Sequence, residues 1–230
     1  MQINNIRQYS FNPKDQMFFD TNIWLLIYGP QSPSDFERQR IYSGAFREIL
    51  SQGLKIYIDI LVLSEIINKL TRFSFDLWCN EHNLTLDFKQ FRSMEEYKPI
   101  AQEVEKTSLL ILGDSIAIDD NFSKMDTTKL LQEYCNYNQD FTDLAINELC
   151  NSRDLLLVTD DGDFSGLNCK ILTANKRLIA GEDTILNYFN ERSTNASAES
   201  FNAKLKGFRA LVRGVRDIKF FLFRVAKLYG

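Results

Sequence analysis

Acidic residues cluster directly after an apolar run in the segment Leu155–Phe164, which reads LLLVTDDGDF. An apolar run without polar interruptions is typical of a strand buried on both faces, as in a parallel sheet. The run is followed by one threonine and three acids: Thr159, Asp160, Asp161 and Asp163. This position matters because open parallel sheets bind ligands just beyond the carboxyl ends of their strands. Carboxylates this close raise one another's pKa, and a divalent cation between them removes that repulsion. The segment therefore predicts a metal site, with an ordinary Asp-Gly turn as the alternative.

Three further acids stand where predicted elements begin or end, or inside a helix. Asp20 follows the apolar run QMFF and precedes a predicted helix. Glu65 lies among apolar residues of a helix predicted over 59–72, and Asp143 lies in the first turn of a helix predicted over 141–150. Each acid has an alternative that needs no chemistry. Asp20 can cap its helix, Glu65 can face solvent, and Asp143 can simply favour the helix dipole.

The elements that position these acids alternate between strand and helix. Strands are predicted over 16–19, 55–58, 115–118, 155–158 and 170–173. Helices are predicted from 21 and over 35–51, 59–72, 73–111, 124–137 and 141–150. This alternation predicts an α/β fold with a central parallel sheet flanked by helices. The carboxyl ends of the strands would then bring the acids to one edge of the sheet.

The composition of the chain limits where the protein could act and which metal ion it could bind. The chain has 230 residues and no apolar run near the ~20 residues that span a bilayer, and its N-terminus has no signal-peptide pattern. Four cysteines without a CxxC pair indicate reduced thiols, so we expect a cytoplasmic protein with no membrane partner. Because His82 is the only histidine, a His-rich zinc site is excluded. Oxygen ligands favour Mg²⁺ or Mn²⁺.

Charge is unevenly distributed. Residues 193–230 hold eight Lys/Arg and two Asp/Glu, a net charge of +6, whereas the whole chain has −4 and the remainder therefore −10. An acidic body with a basic tail indicates two segments of different role. We predict a domain over 1–190 and a basic helical tail over 191–230. Arg38, Arg40, Lys69 and Arg72 are candidates for local contacts with an anionic partner, with an ordinary solvated surface as the alternative.

Four motifs together resemble the PIN-domain ribonucleases over about residues 17–173: FFDTNIW, LSEIINKL, FTDLAINEL and LLLVTDDGDF. The likeness is greatest to the VapC-type toxins of bacterial toxin–antitoxin pairs, although the stretch between Glu65 and Asp143 is longer than in a compact toxin. The resemblance implies a three-layer PIN-like fold. It also implies roles for the acids and their neighbours: catalytic Asp20, Glu65, Asp143 and Asp161; metal-binding Asp20, Asp143, Asp161 and Asp163; supporting Thr21, Asn22, Thr159 and Asp160.

The same resemblance implies an endoribonuclease that cleaves single-stranded RNA with water activated by Mg²⁺ or Mn²⁺. Its implied partners are RNA and an antitoxin protein, and a homodimer is an open alternative. Two other functions remain. A PIN-like scaffold would bind RNA or protein without cutting. A Mg²⁺-dependent phosphatase would need a second acid in a D-x-D motif, and Asn22 stands at that position.

The tail carries a second resemblance, through NASAESFNAK and the sequence that follows it. It resembles the C-terminal end of DDE-type insertion-sequence transposases. The resemblance places the last catalytic acid of that family at Glu199. Because the two partner aspartates would belong to a transposase body that this chain lacks, we expect Glu199 to be idle and the tail to be a helical appendage.

Overall fold

The structure is a computed structural model that describes residues 2–30, 32–136 and 139–180. The chain divides into two units at Asp183–Thr184. The second unit lies outside the described residues, so the domain boundary at 190, the helical tail over 191–230 and the idle Glu199 stay predictions.

Six strands form one parallel sheet in the described residues: β1 Gln2–Asn5, β2 Gln16–Phe19, β3 Lys55–Ile58, β4 Ile116–Ala117, β5 Leu156–Val158 and β6 Lys170–Thr173. Their order in the sheet is β1-β6-β5-β2-β3-β4. The helices are α1 Thr21–Tyr28, α2 Phe36–Ser51, α3 Ile60–His82, α4 Phe88–Phe91, α5 Tyr97–Gly113, α6 Thr127–Asn136 and α7 Phe141–Arg153. Short 3-10 turns lie at Pro33–Asp35, Phe122–Lys124 and Gly162–Phe164.

The order of the strands produces three layers. From β2 the chain moves outward through β3 to β4, and it then returns to β5 on the other side of β2. Right-handed crossovers place helices α1 to α5 on one face and α6 and α7 on the other. Helices on both faces explain why the central strands β2 and β5 are apolar and buried. No helix in the described ranges is long and apolar enough to cross a membrane.

The core occupies both faces of the sheet, with buried apolar residues from α1–α3 and α5 on one face and from α6 and α7 on the other. Met17, Phe18 and Phe19 of β2 are almost completely buried, and Trp24 of α1 and Phe46 of α2 pack beside Phe19. The ring centroids of Phe19 and Trp24 lie 5.2 Å apart. Buried aromatic pairs of this kind add roughly 0.5–1.5 kcal/mol to the free energy of area burial. They fix α1 rigidly against the end of β2.

The structure corrects three sequence predictions. The edge strand β1 was missed, and it pairs with β6. The predicted helix over 59–72 continues to His82, where Asn83 adopts left-handed backbone angles and ends α3. The single helical stretch predicted over 73–111 is wrong, because the chain leaves helical geometry at 83–87 and 92–96. Strands at 16–19, 55–58 and 170–173 are confirmed.

Candidate active site

The topological switch point of the sheet, where the strand order reverses direction, lies between β2 and β5. Phe19 pairs with Val158 across these strands, so Asp20 and Thr159 leave the sheet side by side at its carboxyl edge. From β2 the chain continues to β3 on one side of it, whereas the strand on the other side, β5, comes much later in the sequence. Ligands of open parallel sheets bind at such a switch point.

Asp20 is almost completely buried at this edge, with 6% of its surface exposed. Its backbone is extended, and its carboxylate accepts a hydrogen bond from the Thr21 N–H at 2.6 Å, as a helix N-cap does. The Thr159 hydroxyl at 2.7 Å and the Asn22 side-chain amide donate to the other oxygen. Burial nevertheless raises the pKa of Asp20 to about 6, with smaller contributions from Glu65 and Asp161.

Glu65 is directed toward the end of β2. The Thr21 hydroxyl donates to Glu65 Oε2 at 2.7 Å, and Lys69, one turn along α3, pairs with Glu65 Oε1 at 2.7 Å. The side chain of Glu65 is 39% exposed, so it lies at the rim rather than in the interior. The alternative of a purely solvent-facing glutamate does not describe this geometry.

The loop after β5 is built around Thr159, whose surface is 0% exposed. Its hydroxyl oxygen accepts from the Asp161 N–H at 3.0 Å and from the Asn22 amide at 3.2 Å. Asp161 in turn accepts from the Asp163 N–H at 3.0 Å and caps the 3-10 turn Gly162–Phe164. The Asp-Gly turn is therefore present, and it holds Asp161 close to Asp20.

Asp160 points away from the other acids. Its carboxylate accepts from the Tyr42 hydroxyl at 2.7 Å and from Arg38 at 3.1 Å, both on α2. Its backbone is held as well, because its N–H donates to Asn22 at 3.1 Å and its carbonyl accepts from Asn175 at 2.7 Å. The sequence predicts Asp160 as a supporting residue, and in the structure its side chain anchors the loop to α2.

Asp143 comes to the site from α7, on the opposite face of the sheet. Its pKa is raised to about 7, chiefly by burial and then by the charges of Asp20, Asp161, Asp140 and Asp163. In the described part of the chain no hydrogen bond to its carboxylate accompanies this crowding. Asp143 is thus the acid that would gain most from a neighbouring cation.

We define the acid set as Asp20, Glu65, Asp143 and Asp161. Its members come from four separate segments and share one electrostatic neighbourhood. Within residues 2–30, 32–136 and 139–180, no three histidine, cysteine or acidic side chains are arranged so that they could hold one ion together. The donors fit Mg²⁺ or Mn²⁺ in kind, because all are oxygens. Three hydrogen bonds to Asp20 leave about one of its four lone pairs for a ligand.

A cavity of about 400 Å³ opens beside the acid set. Asp161 belongs to both, and Asn22, which donates to Asp20, lines the cavity as well. Arg38 and Lys69 add two cations to the cavity lining. Sequence reasoning proposed these two cations as contacts, but it missed Tyr42 and Asn175. The i,i+4 spacing of Glu65 and Lys69 could have revealed their pairing. Nothing local could have revealed Tyr42, because it lies 118 positions from Asp160.

Parallel strands, helices on both faces and acids at the switch point define an α/β protein with an acidic site between β2 and β5. The PIN domain family model matches residues 17–170, which is more than half of the chain. The chain therefore belongs to the PIN-domain family, and this confirms the resemblance seen in the four sequence motifs. PIN domains are generally nucleases that use divalent metal ions.

A transposase family model of the DDE, ISL3 type matches residues 165–225 and confirms the second resemblance. Among solved structures, VapBC2 from Rickettsia felis, bound to a DNA fragment from its promoter, is similar with 18% identity and a TM-score of 0.42. That match covers 68% of this chain and 96% of the other. PAE2754 from Pyrobaculum aerophilum is similar with 13% identity and a TM-score of 0.39, covering 78% and 97%. None of the curated proteins compared with this chain matches it.

Proposed function

We propose that this PIN domain is a metal-dependent endoribonuclease that cleaves single-stranded RNA. Its ion would be Mg²⁺ or Mn²⁺, and binding of that ion would bring the carboxylates of Asp20, Asp143, Asp161 and Asp163 together around it. The observation that carries the proposal is the crowding of Asp143. Burial raises the pKa of Asp143 to about 7, and the charges of Asp20, Asp161, Asp140 and Asp163 add to that effect. A fold does not accumulate such repulsion for stability alone, since an apolar or amide side chain would avoid it.

The residues of this chain would do three things. Asn22 and Thr159 hold the Asp20 carboxylate in one orientation, because both donate to the same oxygen. Thr21 orients Glu65. Asp143, whose pKa is raised in the absence of a cation, would be held ionised by a bound divalent ion and act as its ligand. A bound divalent ion would supply charge neutralisation and an activated water for attack on the phosphodiester.

We further propose that the chain acts as the toxin of a toxin–antitoxin pair, with an antitoxin protein as its partner. Support comes from the membership in the PIN family and from the four motifs that resemble VapC-type toxins. The proposal predicts that a neighbouring gene encodes a small protein that binds this chain and blocks RNA cleavage. We keep a homodimer as a proposal tested by the mass of the purified protein in solution.

A second candidate is a PIN-like scaffold that binds RNA or protein without cutting. The observation in its favour is the pairing of Lys69 with Glu65, which neutralises one member of the acid set. A phosphatase has less support, because Asn22 is bonded to Asp20 and Thr159 and supplies no second acid.

The test is cleavage of a labelled single-stranded RNA by the purified full chain with Mg²⁺, with Mn²⁺ or with EDTA. We expect cleavage with either ion, none with EDTA, and a loss of at least about 100-fold in Asp143→Asn. Asp76→Asn, an exposed acid on α3, is the matched control and should cleave normally. Cleavage by Asp143→Asn at the wild-type rate would assign the activity to another protein or to other residues. Absence of cleavage by a folded wild type would favour the scaffold.

A further inference from the structure

The cavity beside the acid set has two walls of different character. One wall is apolar and comes from the end of α1 and the turn after it, Leu25, Leu26 and Pro30. The other is polar and comes from the start of α2 and the loop after β5, with Asp35, Gln39 and Asp161. The cavity is therefore built to contact a ligand that has a flat apolar face and a polar edge.

The charges of the lining disfavour a bare phosphate. Arg38 and Lys69 are the cations, and both are already paired, Arg38 with Asp35 and Asp160 and Lys69 with Glu65. Because carboxylates outnumber cations around the cavity, an additional anion would be repelled. A neutral group that donates hydrogen bonds would be attracted instead.

A nucleobase has these properties. Its ring faces are apolar enough to pack on leucine and proline, and unpaired bases also stack on arginine guanidinium planes. Exocyclic amino groups donate hydrogen bonds to carboxylates and to amide oxygens without bringing negative charge. Adenine, cytosine and guanine have such an amino group, whereas uracil has two carbonyl acceptors on its ring.

We propose that this cavity binds one unpaired base of the RNA substrate next to the cleaved phosphodiester, and that it prefers a base with an exocyclic amino group. The location of the cavity next to the cleaved bond rests on the proposed function. Asp161 belongs to the acid set and lines the cavity, and Asn22 lines the cavity and donates a hydrogen bond to Asp20. The base preference rests on the cavity alone. Gln39, which is partly exposed on α2, is the residue that we assign to reading the base edge.

The experiment measures binding, so that it does not depend on cleavage. Fluorescence anisotropy of a labelled oligo-U is compared with the same oligonucleotide carrying one central adenine or cytosine, in the full-length Asp143→Asn background with Mg²⁺. We expect tighter binding of the substituted oligonucleotides. Gln39→Ala should reduce this preference by about threefold to tenfold, the effect of one hydrogen bond.

Two further variants sharpen the result. Gln39→Glu retains an acceptor but removes the donor, so it should keep or increase the preference over uracil. Gln102→Ala, at an exposed position of α5, is the matched control and should leave the preference unchanged.

The outcomes separate the two proposals. Equal binding of all the oligonucleotides, with active wild-type cleavage, would overturn the base site and leave the nuclease standing. A base preference that depends on Gln39 in a protein that never cleaves RNA would keep the base site and overturn the nuclease. If a cationic peptide bound in a Gln39-dependent way and RNA did not, the occupant would be a protein segment and the base site would be wrong.

Discussion

Replacing Asp143 by asparagine should make the metal-free protein more stable at alkaline pH. The pKa of Asp143 rises from 3.8 to about 7, chiefly because of burial and then because of neighbouring carboxylates. A carboxyl group whose pKa is higher in the folded state holds its proton more tightly there. Its contribution to stability is therefore complete below about pH 3.8 and is lost as the pH rises through about 7.

The size of this loss of stability follows from the ordinary and the raised pKa of Asp143. A rise from 3.8 to about 7 corresponds to about 4 kcal/mol at 1.36 kcal/mol per pKa unit. Because Asp143 is only partly buried, screening by solvent reduces this to roughly 2 kcal/mol. Asparagine keeps the size of the side chain and removes the charge. As the pH rises from about 5 to about 8, the free energy of unfolding of the variant should therefore fall by roughly 1–2 kcal/mol less than that of the wild type.

Urea unfolding in EDTA, followed by tryptophan fluorescence at the two pH values, measures the difference. Titrating groups outside the acid set are common to both proteins and cancel in the comparison, so the difference reports Asp143 together with its coupling to Asp20 and Asp161. Asp76→Asn controls for removal of an exposed acid. Mn²⁺ added at about pH 8 should stabilise the wild type more than Asp143→Asn, since an ion that binds only the folded state stabilises it. Parallel losses of stability in the two proteins would mean that Asp143 is not crowded by the other acids, and the site would have to be reassigned.

Three other substitutions or deletions test separate parts of the structure. Tyr42→Phe should lower the free energy of unfolding by about 1–3 kcal/mol, because the buried Tyr42 hydroxyl donates to Asp160 and accepts from the Ala174 N–H at 2.8 Å; urea unfolding measures this, and an unchanged midpoint would refute the contacts. Lys69→Ala should tighten Mn²⁺ binding in calorimetry because it removes a competing cation, and weaker binding would contradict that role. Deletion of 193–230 should leave RNA cleavage intact, since every predicted ligand precedes it; loss of activity in a folded truncated protein would show that the tail belongs to the site.

The strands that the sequence predicted well are those with unbroken apolar runs. Met17 to Phe19 and Leu156 to Val158 are buried on both faces, and burial on both faces is what an unbroken run indicates. In the edge strand Gln2–Asn5 only Ile3 is buried, so its mostly polar sequence contains no apolar run that would predict a strand. Helical periodicity over 73–111 could not register the left-handed angles at Asn83, which end α3 whatever the apolar spacing predicts.

Asp20, Asp143 and Asp161 each stand beside the end of a predicted strand or helix, and parallel strands bring such residues to one edge, whereas Glu65 lies inside the helix predicted over 59–72. The direction of each carboxylate was not predictable. Asp160 and Asp161 are neighbours in sequence, yet Asp160 bonds to α2 while Asp161 stays with the acid set. That separation depends on Tyr42 and Arg38, and only the folded chain brings them to the loop.

Asp20 shows how a structural role and a chemical role can be distinguished at one position. It caps α1, so the alternative reading from the sequence is correct as far as it goes. Serine or asparagine would cap the helix about as well without a buried charge. The fold instead keeps a carboxyl group whose pKa is raised to about 6 by burial, with two neighbouring acids adding to the effect. Capping does not require that unfavourable charge, whereas binding a divalent cation does, and this difference is the physical reason for proposing Asp20 as a ligand.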